Sequence, residues 1–191
     1  MKNLEKYLTL LSDEVDGLLL TSRYSRHYGA EYDIAEGIAV VSKNGCRYFT
    51  DSRYIESAQN GIQGFEVMEM NRANNYIKLL NDAIVDFGVT KLGFEETYLT
   101  VAEYNHYKEN LTAELVPFNK PIYDLRAVKE PWELDIMRKA QDITDKALKH
   151  LLSVIKTDMT EIDVAVELEY KGKKYSFTDE TLNIVYTDKG L

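Results

Sequence analysis

The chain has 191 residues, 45% of them hydrophobic, and carries a net charge of −9 at pH 7. That length allows one to two domains with an ordinary hydrophobic core. The acidic balance argues against a nucleic-acid partner and against an anionic membrane surface, because binding to phosphate groups requires clustered Lys and Arg. Charges of both signs are mixed along the chain, which is typical of a solvated surface.

Cysteine content and hydropathy bear on the cellular compartment. Cys46 is the one cysteine in the sequence, so an internal disulfide is excluded, as is usual in a reducing compartment. No apolar run approaches the roughly eighteen residues of a membrane span, and the N-terminus lacks the apolar core of a signal peptide. The sequence therefore predicts a cytoplasmic location without a membrane partner.

Helical and strand patterns alternate through the first two thirds of the chain. Helices are predicted over 2–12, 53–58, 77–87 and 101–111, and strands over 15–21, 38–42, 46–50, 65–70, 92–94 and 114–118. Asn44 and Gly45 predict a type I′ hairpin turn, and Asp51 or Ser52 is predicted to cap the helix that follows. Residues 22–37 are interpreted as a long connection. The pattern predicts an α/β fold with a mixed β-sheet flanked by helices.

Two amphipathic helices are predicted after this region. Pro131 is suited to the first position of a helix over 131–155, and Thr160 with Asp163 forms a capping box for a second helix to about Tyr170. The apolar stripe of the longer helix consists of Ile136, Ala140, Ile143, Ala147, Leu151 and Val154. Such a stripe must be buried, either on a second domain or on the first. We interpret 1–124 as a complete domain and 125–191 as a linker with the truncated beginning of another.

Several segments in the same order resemble one family. They are the string from Phe49 to Ala58, the positions of Arg26, Tyr28 and Gly37, the segments Leu92 to Glu95 and Leu125 to Lys129, and the dipeptide Glu133-Leu134. Together they resemble the N-terminal domain shared by creatinases, prolidases and Xaa-Pro aminopeptidases. Residues 156–169 resemble the first helices of the pita-bread metallopeptidase domain that follows it, and 182–185 resemble that domain's first strand.

This resemblance implies a fold of the creatinase/prolidase N-terminal type, which is ribonuclease H-like, followed by two C-terminal helices from the start of a pita-bread domain. The pita-bread domain of the family binds two divalent metal ions, such as Mn, Co or Zn, through two Asp, one His and two Glu. No residue of this chain matches those ligands, and His27, His106 and His150 are far apart in sequence. We therefore predict no metal, no cofactor and no catalytic residue in this chain.

The segment 25–37 is the main candidate for a functional role, because long polar connections often carry function. The resemblance implies homodimers in which the N-terminal domain lies near the active site of the partner. His27, Tyr28, Glu31 and Asp33 would then border the pocket for a peptide substrate, although an ordinary solvated loop is the simpler reading. Arg53, at a strand-to-helix turn, is a further substrate-access candidate; the alternative is a local ion pair with Asp51.

The main hypothesis is therefore the assembly and substrate-access portion of a metallopeptidase that cleaves Xaa-Pro bonds, inactive by itself. The first alternative is a free-standing dimerisation or binding module from a truncated gene. The second is that the parent is a creatinase-type hydrolase of C–N bonds or an inactive homologue, because a shared fold does not fix the chemistry.

Overall fold

A computed structural model describes residues 3–176 of the chain, with side chains through residue 172. The chain divides into two compact units between Val128 and Lys129. The first unit contains α1 (Asn3–Thr9), β1 (Gly17–Leu20), α2 (Arg23–Ala30), β2 (Ile38–Ser42), β3 (Gly45–Asp51), α3 (Ile55–Gly61), β4 (Glu66–Met70), α4 (Tyr76–Phe87), β5 (Lys91–Phe94), α5 (Val101–Asn110), β6 (Glu114–Pro117) and α6 (Asn119–Ala127). The second contains α7 (Pro131–Val154) and α8 (Glu161–Ser176).

The six strands form one mixed sheet in the order β4-β3-β2-β1-β5-β6. Strand β2 runs antiparallel to both of its neighbours, β1 and β3, whereas the other neighbouring strands are parallel. Strands β1, β3, β4, β5 and β6 therefore end at the same edge of the sheet, which we call the carboxyl edge. The predicted mixed α/β sheet is confirmed.

The core of the first unit lies on both faces of the sheet. Strand β1 is buried along its whole length, with Leu18 and Leu20 on the face covered by α1 and Leu19 on the face covered by α4. Tyr48 and Phe49 divide between the two faces in the same way. Burying one such side chain stabilises a fold by about 1.5–3 kcal/mol, so the central strands contribute much of the core.

The β2–β3 hairpin is confirmed, but the predicted type I′ turn is wrong. Neither Asn44 nor Gly45 has a positive φ. The turn is held instead by side chains: Asn44 N donates to Ser42 Oγ at 3.1 Å, and Asn44 Nδ2 donates to Phe87 O at 2.7 Å. A Cβ on Gly45 would lie 2.3 Å from the Phe87 ring. Packing against the end of α4 therefore decides the turn and the need for glycine.

Three local features of the first unit differ from the sequence expectation. Residues 23–30 form α2 rather than part of a connection, and α6 was not predicted. Pro121 lies in the first turn of α6, where its missing N–H removes no helical hydrogen bond. The helix α3 begins after Tyr54 without a side-chain cap, because Asp51 Oδ1 accepts from Arg53 N at 2.9 Å in the preceding turn.

The second unit is a pair of helices, and both predicted helices are confirmed. Ala147 and Leu151, from the predicted stripe of α7, are buried, and α7 packs against α8. The capping box of α8 is present, with Thr160 N donating to Asp163 Oδ2 at 2.9 Å and Asp163 N donating to Thr160 Oγ1 at 3.2 Å. The strand suggested at 182–185 lies outside the described residues.

None of the helices within residues 3–176 combines the length and the apolar character that crossing a bilayer requires.

Gly37 is the glycine whose replacement we expect to be most costly. Its φ is +151°, and an added Cβ would lie 2.6 Å from the carbonyl oxygen of Phe49. Gly37→Ala should therefore lower the free energy of unfolding by about 3 kcal/mol, through backbone strain and a contact that cannot relax. Urea denaturation followed by circular dichroism measures this loss.

Gly88→Ala is the matched control for Gly37→Ala. Gly88 has a φ of +67°, but an added Cβ would meet no atom within 4 Å. We expect a loss of about 1 kcal/mol, from the left-handed conformation alone. Equal losses in the two variants would show that the contact with Phe49 is not important.

Candidate site at the carboxyl edge of the sheet

The candidate site lies at the carboxyl edge between β1 and β5. From β1 the chain first adds β2, β3 and β4 on one side, and then returns to add β5 and β6 on the other. Open α/β sheets commonly bind ligands in the crevice at such a reversal of strand order. In this chain the position is bordered by the residues that follow β1, by those that follow β5, and by the N-terminus of α2.

The carboxylate of Glu95 fills this position. Its Oε2 accepts from Thr21 N at 3.1 Å and from Ser22 N at 3.0 Å, and its Oε1 accepts from Ser22 Oγ at 2.7 Å and from Ser25 Oγ at 2.6 Å. The Glu95 side chain is 1% exposed. A buried carboxylate requires such donors, and a helix N-terminus favours a negative charge. Glu95 thus occupies the place where an external anion would bind in a comparable fold.

This contact also explains why α2 forms. Ser22 caps the helix by accepting from Ser25 N at 3.1 Å, and both serine hydroxyls donate to the Glu95 carboxylate. The donors and the acceptor are separated by about 70 residues in sequence. Because this acceptor lies far outside residues 22–37, the local sequence predicts a connection there instead of a helix.

Arg26 fixes the segment between α2 and β2 over the carboxyl edge. Its guanidinium donates to Ile34 O at 3.2 Å, to Ala35 O at 3.1 Å and to Tyr48 Oη at 2.7 Å. Arg26 is 5% exposed, so these carbonyls replace the water that its charge would otherwise bind. Burial raises the pKa of Tyr48, which keeps its hydroxyl neutral as the acceptor for Arg26.

Two of the predicted site residues, His27 and Asp33, lie together with Arg23. The Arg23 side chain holds both oxygens of Asp33, with Nε to Oδ1 at 3.0 Å and Nη2 to Oδ2 at 2.5 Å. These hydrogen bonds lower the pKa of Asp33. His27 Nδ1 is 3.8 Å from Asp33 Oδ1, too far for a hydrogen bond. Burial lowers the pKa of His27, so the imidazole is neutral near pH 7.

Tyr28 and Glu31 do not join this group, because both contact α1. Lys6 Nζ donates to Tyr28 Oη at 3.1 Å, and the Tyr28 ring packs edge-on against Tyr7 with centroids 5.6 Å apart. Glu31 Oε1 accepts from Asn3 N at 2.9 Å. These contacts fasten α1 to α2.

Arg53 lies at the end of β3, on the same edge but separated from β1 by β2. Arg53 Nη2 donates to Asp51 Oδ2 at 2.5 Å, and the guanidinium stacks 5.1 Å from the centre of the Tyr54 ring. The hydrogen bonds from Arg53 lower the pKa of Asp51. The local ion pair considered as the alternative is therefore present.

The structure adds residues that sequence reasoning did not assign to the site. Tyr24 and Tyr98 are both about half exposed, and their ring centroids are 6.4 Å apart. The Arg126 guanidinium lies 5.8 Å from the Tyr24 ring, and its Nη1 donates to Ser25 Oγ at 3.3 Å. Arg126 belongs to a segment with a family resemblance, but its contact with α2 crosses 101 residues and has no local signal.

The described residues do not fit the metal pair implied by the resemblance. Within residues 3–172, where side chains are described, no three His, Cys, Asp or Glu residues are arranged to hold a metal ion. We therefore derive no chemical step through a metal in this part of the chain. The arrangement at the carboxyl edge offers half-exposed aromatic rings, a neutral imidazole and an Arg–Asp ion pair.

The fold is that of an N-terminal domain of the creatinase and prolidase type. Residues 3–128 match the family model of the Creatinase/Prolidase N-terminal domain, and the chain belongs to this family. This result confirms the resemblance seen in the sequence. The matched range ends where the first compact unit ends.

Particular relatives extend the match beyond this domain. The uncharacterized peptidase YqhT of Bacillus subtilis is 35% identical over 157 residues, which cover 82% of this chain and 44% of YqhT. The solved structure of an Xaa-Pro dipeptidase from Bacillus anthracis has a TM-score of 0.83 and 33% identity, covering 94% of this chain and 50% of the dipeptidase. An X-Pro aminopeptidase from Thermotoga maritima, at 24% identity and a TM-score of 0.81, shares the fold. The chain spans about half the length of these relatives.

Replacement of Glu95 tests whether its carboxylate stabilises the contacts at the carboxyl edge of the sheet. Glu95→Gln keeps the shape but places an amide N–H₂ group among hydrogen-bond donors. We expect a loss of about 2–4 kcal/mol in the free energy of unfolding, because buried donors lose their acceptor. Glu69→Gln, at an exposed position on β4, should change stability by less than about 0.5 kcal/mol. Equal stability of the two variants, measured in urea, would contradict this role.

His27 should make the stability depend on pH. Because its pKa is lower in the folded chain than in the unfolded chain, the unfolded chain binds more protons as the pH falls from about 7.5 to about 5.5. The free energy of unfolding should decrease over this interval in the wild type and decrease less in His27→Gln. Urea denaturation at each pH measures the difference. His106→Gln, which leaves His27 in place, should behave as the wild type; the same pH dependence in His27→Gln would refute the assignment.

Proposed function

We propose that this chain is the assembly and substrate-access portion of a metal-dependent peptidase that cleaves Xaa-Pro peptide bonds. The observation that carries the proposal is the alignment over 94% of this chain with half of an Xaa-Pro dipeptidase. The other half of such a protein supplies the metal ions and the bond cleavage. This chain alone does not hydrolyse peptides, and it acts as a homodimer in the cytoplasm.

The access role belongs to a partly exposed group on α2 and the segment that follows it. Arg23, His27 and Asp33 lie on one side of α2 and its following segment, and Tyr24 adds an exposed aromatic ring beside Tyr98. A peptide offers an apolar proline ring and charged ends, and aromatic rings with nearby charged groups can contact both. The buried contacts of Glu95 and Arg26 keep these side chains in fixed positions without touching the peptide.

Tyr28, Glu31 and Arg53 have weaker support as substrate-access residues. Tyr28 and Glu31 are engaged with α1, and Arg53 is engaged with Asp51. We propose that the first two act through the position of α2, and that Arg53 contacts a peptide only if the peptide extends along the carboxyl edge as far as β3.

A hybrid enzyme tests the proposal. The hybrid joins residues 1–128 of this chain to the remainder of the Bacillus anthracis dipeptidase, and an Xaa-Pro dipeptide with added Mn²⁺ is the substrate. We expect turnover by the hybrid and none by this chain alone. Tyr24→Ala together with His27→Gln in the hybrid should raise KM several-fold, with kcat changed less than about twofold, because uniform binding is lost.

Lys108→Gln in the hybrid is the matched control, since Lys108 lies on α5 and contacts the Tyr104 ring of the same helix. It should leave both kinetic constants unchanged. Metal-dependent cleavage by the purified chain alone would contradict the proposed division of roles, provided that a mock purification from cells without the gene shows no cleavage. Unchanged KM in the Tyr24 and His27 variant would refute the access role of the α2 group.

A further inference from the structure

The backbone of Glu31 lies in the left-handed region at the end of α2. Its φ is +51° and its ψ is 25°, and within the described part of the chain no other residue except glycine has a positive φ. For a residue with a side chain, this conformation is disfavoured by about tenfold relative to the ordinary helical one. The turn at Glu31 therefore persists only where other contacts hold it.

Helix α1 supplies such a contact. Glu31 Oε1 accepts from Asn3 N at 2.9 Å, and Asn3 is 3% exposed. Because Asn3 is the first residue of α1, its N–H has no acceptor inside the helix. The Tyr7 ring of α1 packs so closely on α2 that a Cβ added to Gly29 would lie 3.0 Å from it. The close packing of the two helices thus keeps the buried donor next to its acceptor.

Buried donors fix the end of the segment that follows Glu31. Arg26 and Thr50 donate to the carbonyl oxygens of residues 34–36 at 2.9 to 3.2 Å. Both donor side chains belong to buried residues. Because buried hydrogen bonds do not compete with water, residues 34–36 stay in place when contacts at the surface change.

Tyr32 and Asp33 lie between these two fixed points, and their contacts are closer to solvent. The Tyr32 hydroxyl lies 3.0 Å from Ser57 Oγ at an exposed position. Asp33 pairs with Arg23, whose side chain is 38% exposed. Water competes for contacts of this kind, so they restrain the backbone only weakly. The direction in which the chain leaves Glu31 therefore decides where Asp33 lies.

We propose that Glu31, besides fastening α1 to α2, is a positioning residue for Asp33. Its bond to Asn3 N holds the left-handed turn, and the turn places Asp33 beside His27. Loss of the bond lets Glu31 return to a negative φ, which moves Asp33 while residues 34–36 stay in place. The proposal goes beyond the proposed function, because this control of Asp33 by α1 does not depend on what the first unit binds.

Removal of the donor tests the proposal in the 191-residue chain. Asn3→Pro deletes the N–H and is otherwise suited to the first position of a helix. Asn3→Ala is the matched control, because it keeps the N–H and removes a side chain whose Oδ1 lacks a hydrogen-bond partner among the described residues. NMR relaxation should give amide order parameters of about 0.85 at residues 32 and 33 in the wild type and in Asn3→Ala. In Asn3→Pro the values should fall below about 0.6.

Removal of the acceptor tests the same bond from the other side. Glu31→Gly deletes the carboxylate and gives the backbone free access to both signs of φ. Glu31→Gln is its matched control, because the amide oxygen can still accept from Asn3 N. The order parameters at residues 32 and 33 should fall in Glu31→Gly and stay at the wild-type values in Glu31→Gln.

The pKa of His27, measured by NMR titration of its ring, reports the position of Asp33 directly. Burial lowers this pKa, Asp33 raises it, and the charges of Arg23 and Arg126 lower it. When Asp33 moves away, the pKa of His27 should fall below the wild-type value. We expect this shift in the two variants that lose the bond and not in the two controls.

Wild-type order parameters and a wild-type pKa of His27 in both variants that lose the bond would overturn the proposal. Equal effects of Asn3→Ala and Asn3→Pro would also overturn it, because the side chain and not the N–H would then be responsible. Circular dichroism checks that each variant is folded. If Asn3→Pro is not folded, Glu31→Gly decides the question, since glycine accepts the left-handed turn without strain.

Discussion

The carboxylate of Glu95 connects the elements on which the candidate site depends. It joins the end of β5 to the two residues after β1 and to Ser25 on α2, and Arg126 of α6 contacts the same serine. A carboxylate with this degree of burial is stable only when several donors surround it. The strands, the first turn of α2 and the end of α6 must therefore be in place together. The positions of Arg23, Tyr24 and His27 on α2 follow from this buried contact.

The Glu95 contact also explains why this open α/β sheet does not offer an anion site at its carboxyl edge. The crevice at the reversal of strand order and the N-terminus of α2 would suit a phosphate group. Because Glu95 already supplies the negative charge there, the crevice is closed by the protein itself. On the outer side of α2, Tyr24 is exposed and Arg23 is paired with Asp33.

The two units differ in how completely they bury their apolar residues. The first unit surrounds its sheet with helices and leaves only scattered apolar side chains exposed. The helix pair of the second unit buries Ala147 and Leu151 but leaves Met137, Leu148 and Leu152 of α7 exposed. Two helices have too few neighbours to bury apolar residues on more than one side of each. The second unit therefore needs a further surface to pack against.

Most of the elements could be predicted from the sequence, because their signals are local. The hairpin, the alternation in β4, the stripe and C-terminal glycine of α4, the Thr100–Glu103 capping box and the helix from Pro131 all follow from neighbouring residues. The family resemblance was also visible in short segments and was confirmed. These features depend on backbone conformation and periodicity, which a few consecutive residues establish.

Features that depend on contacts between distant residues could not be predicted in this way. Helix α2 needs the hydrogen-bond acceptor supplied by Glu95, and the hairpin turn needs the carbonyl oxygen of Phe87. Tyr28 and Glu31 are separated from the other predicted site residues because they bind α1. Helix α7 packs against α8, and the exposure of Leu148 and Leu152 on α7 follows from that packing. Each of these features depends on residues that are far apart in sequence but close in the fold. A local sequence pattern does not indicate which distant residue will make the contact.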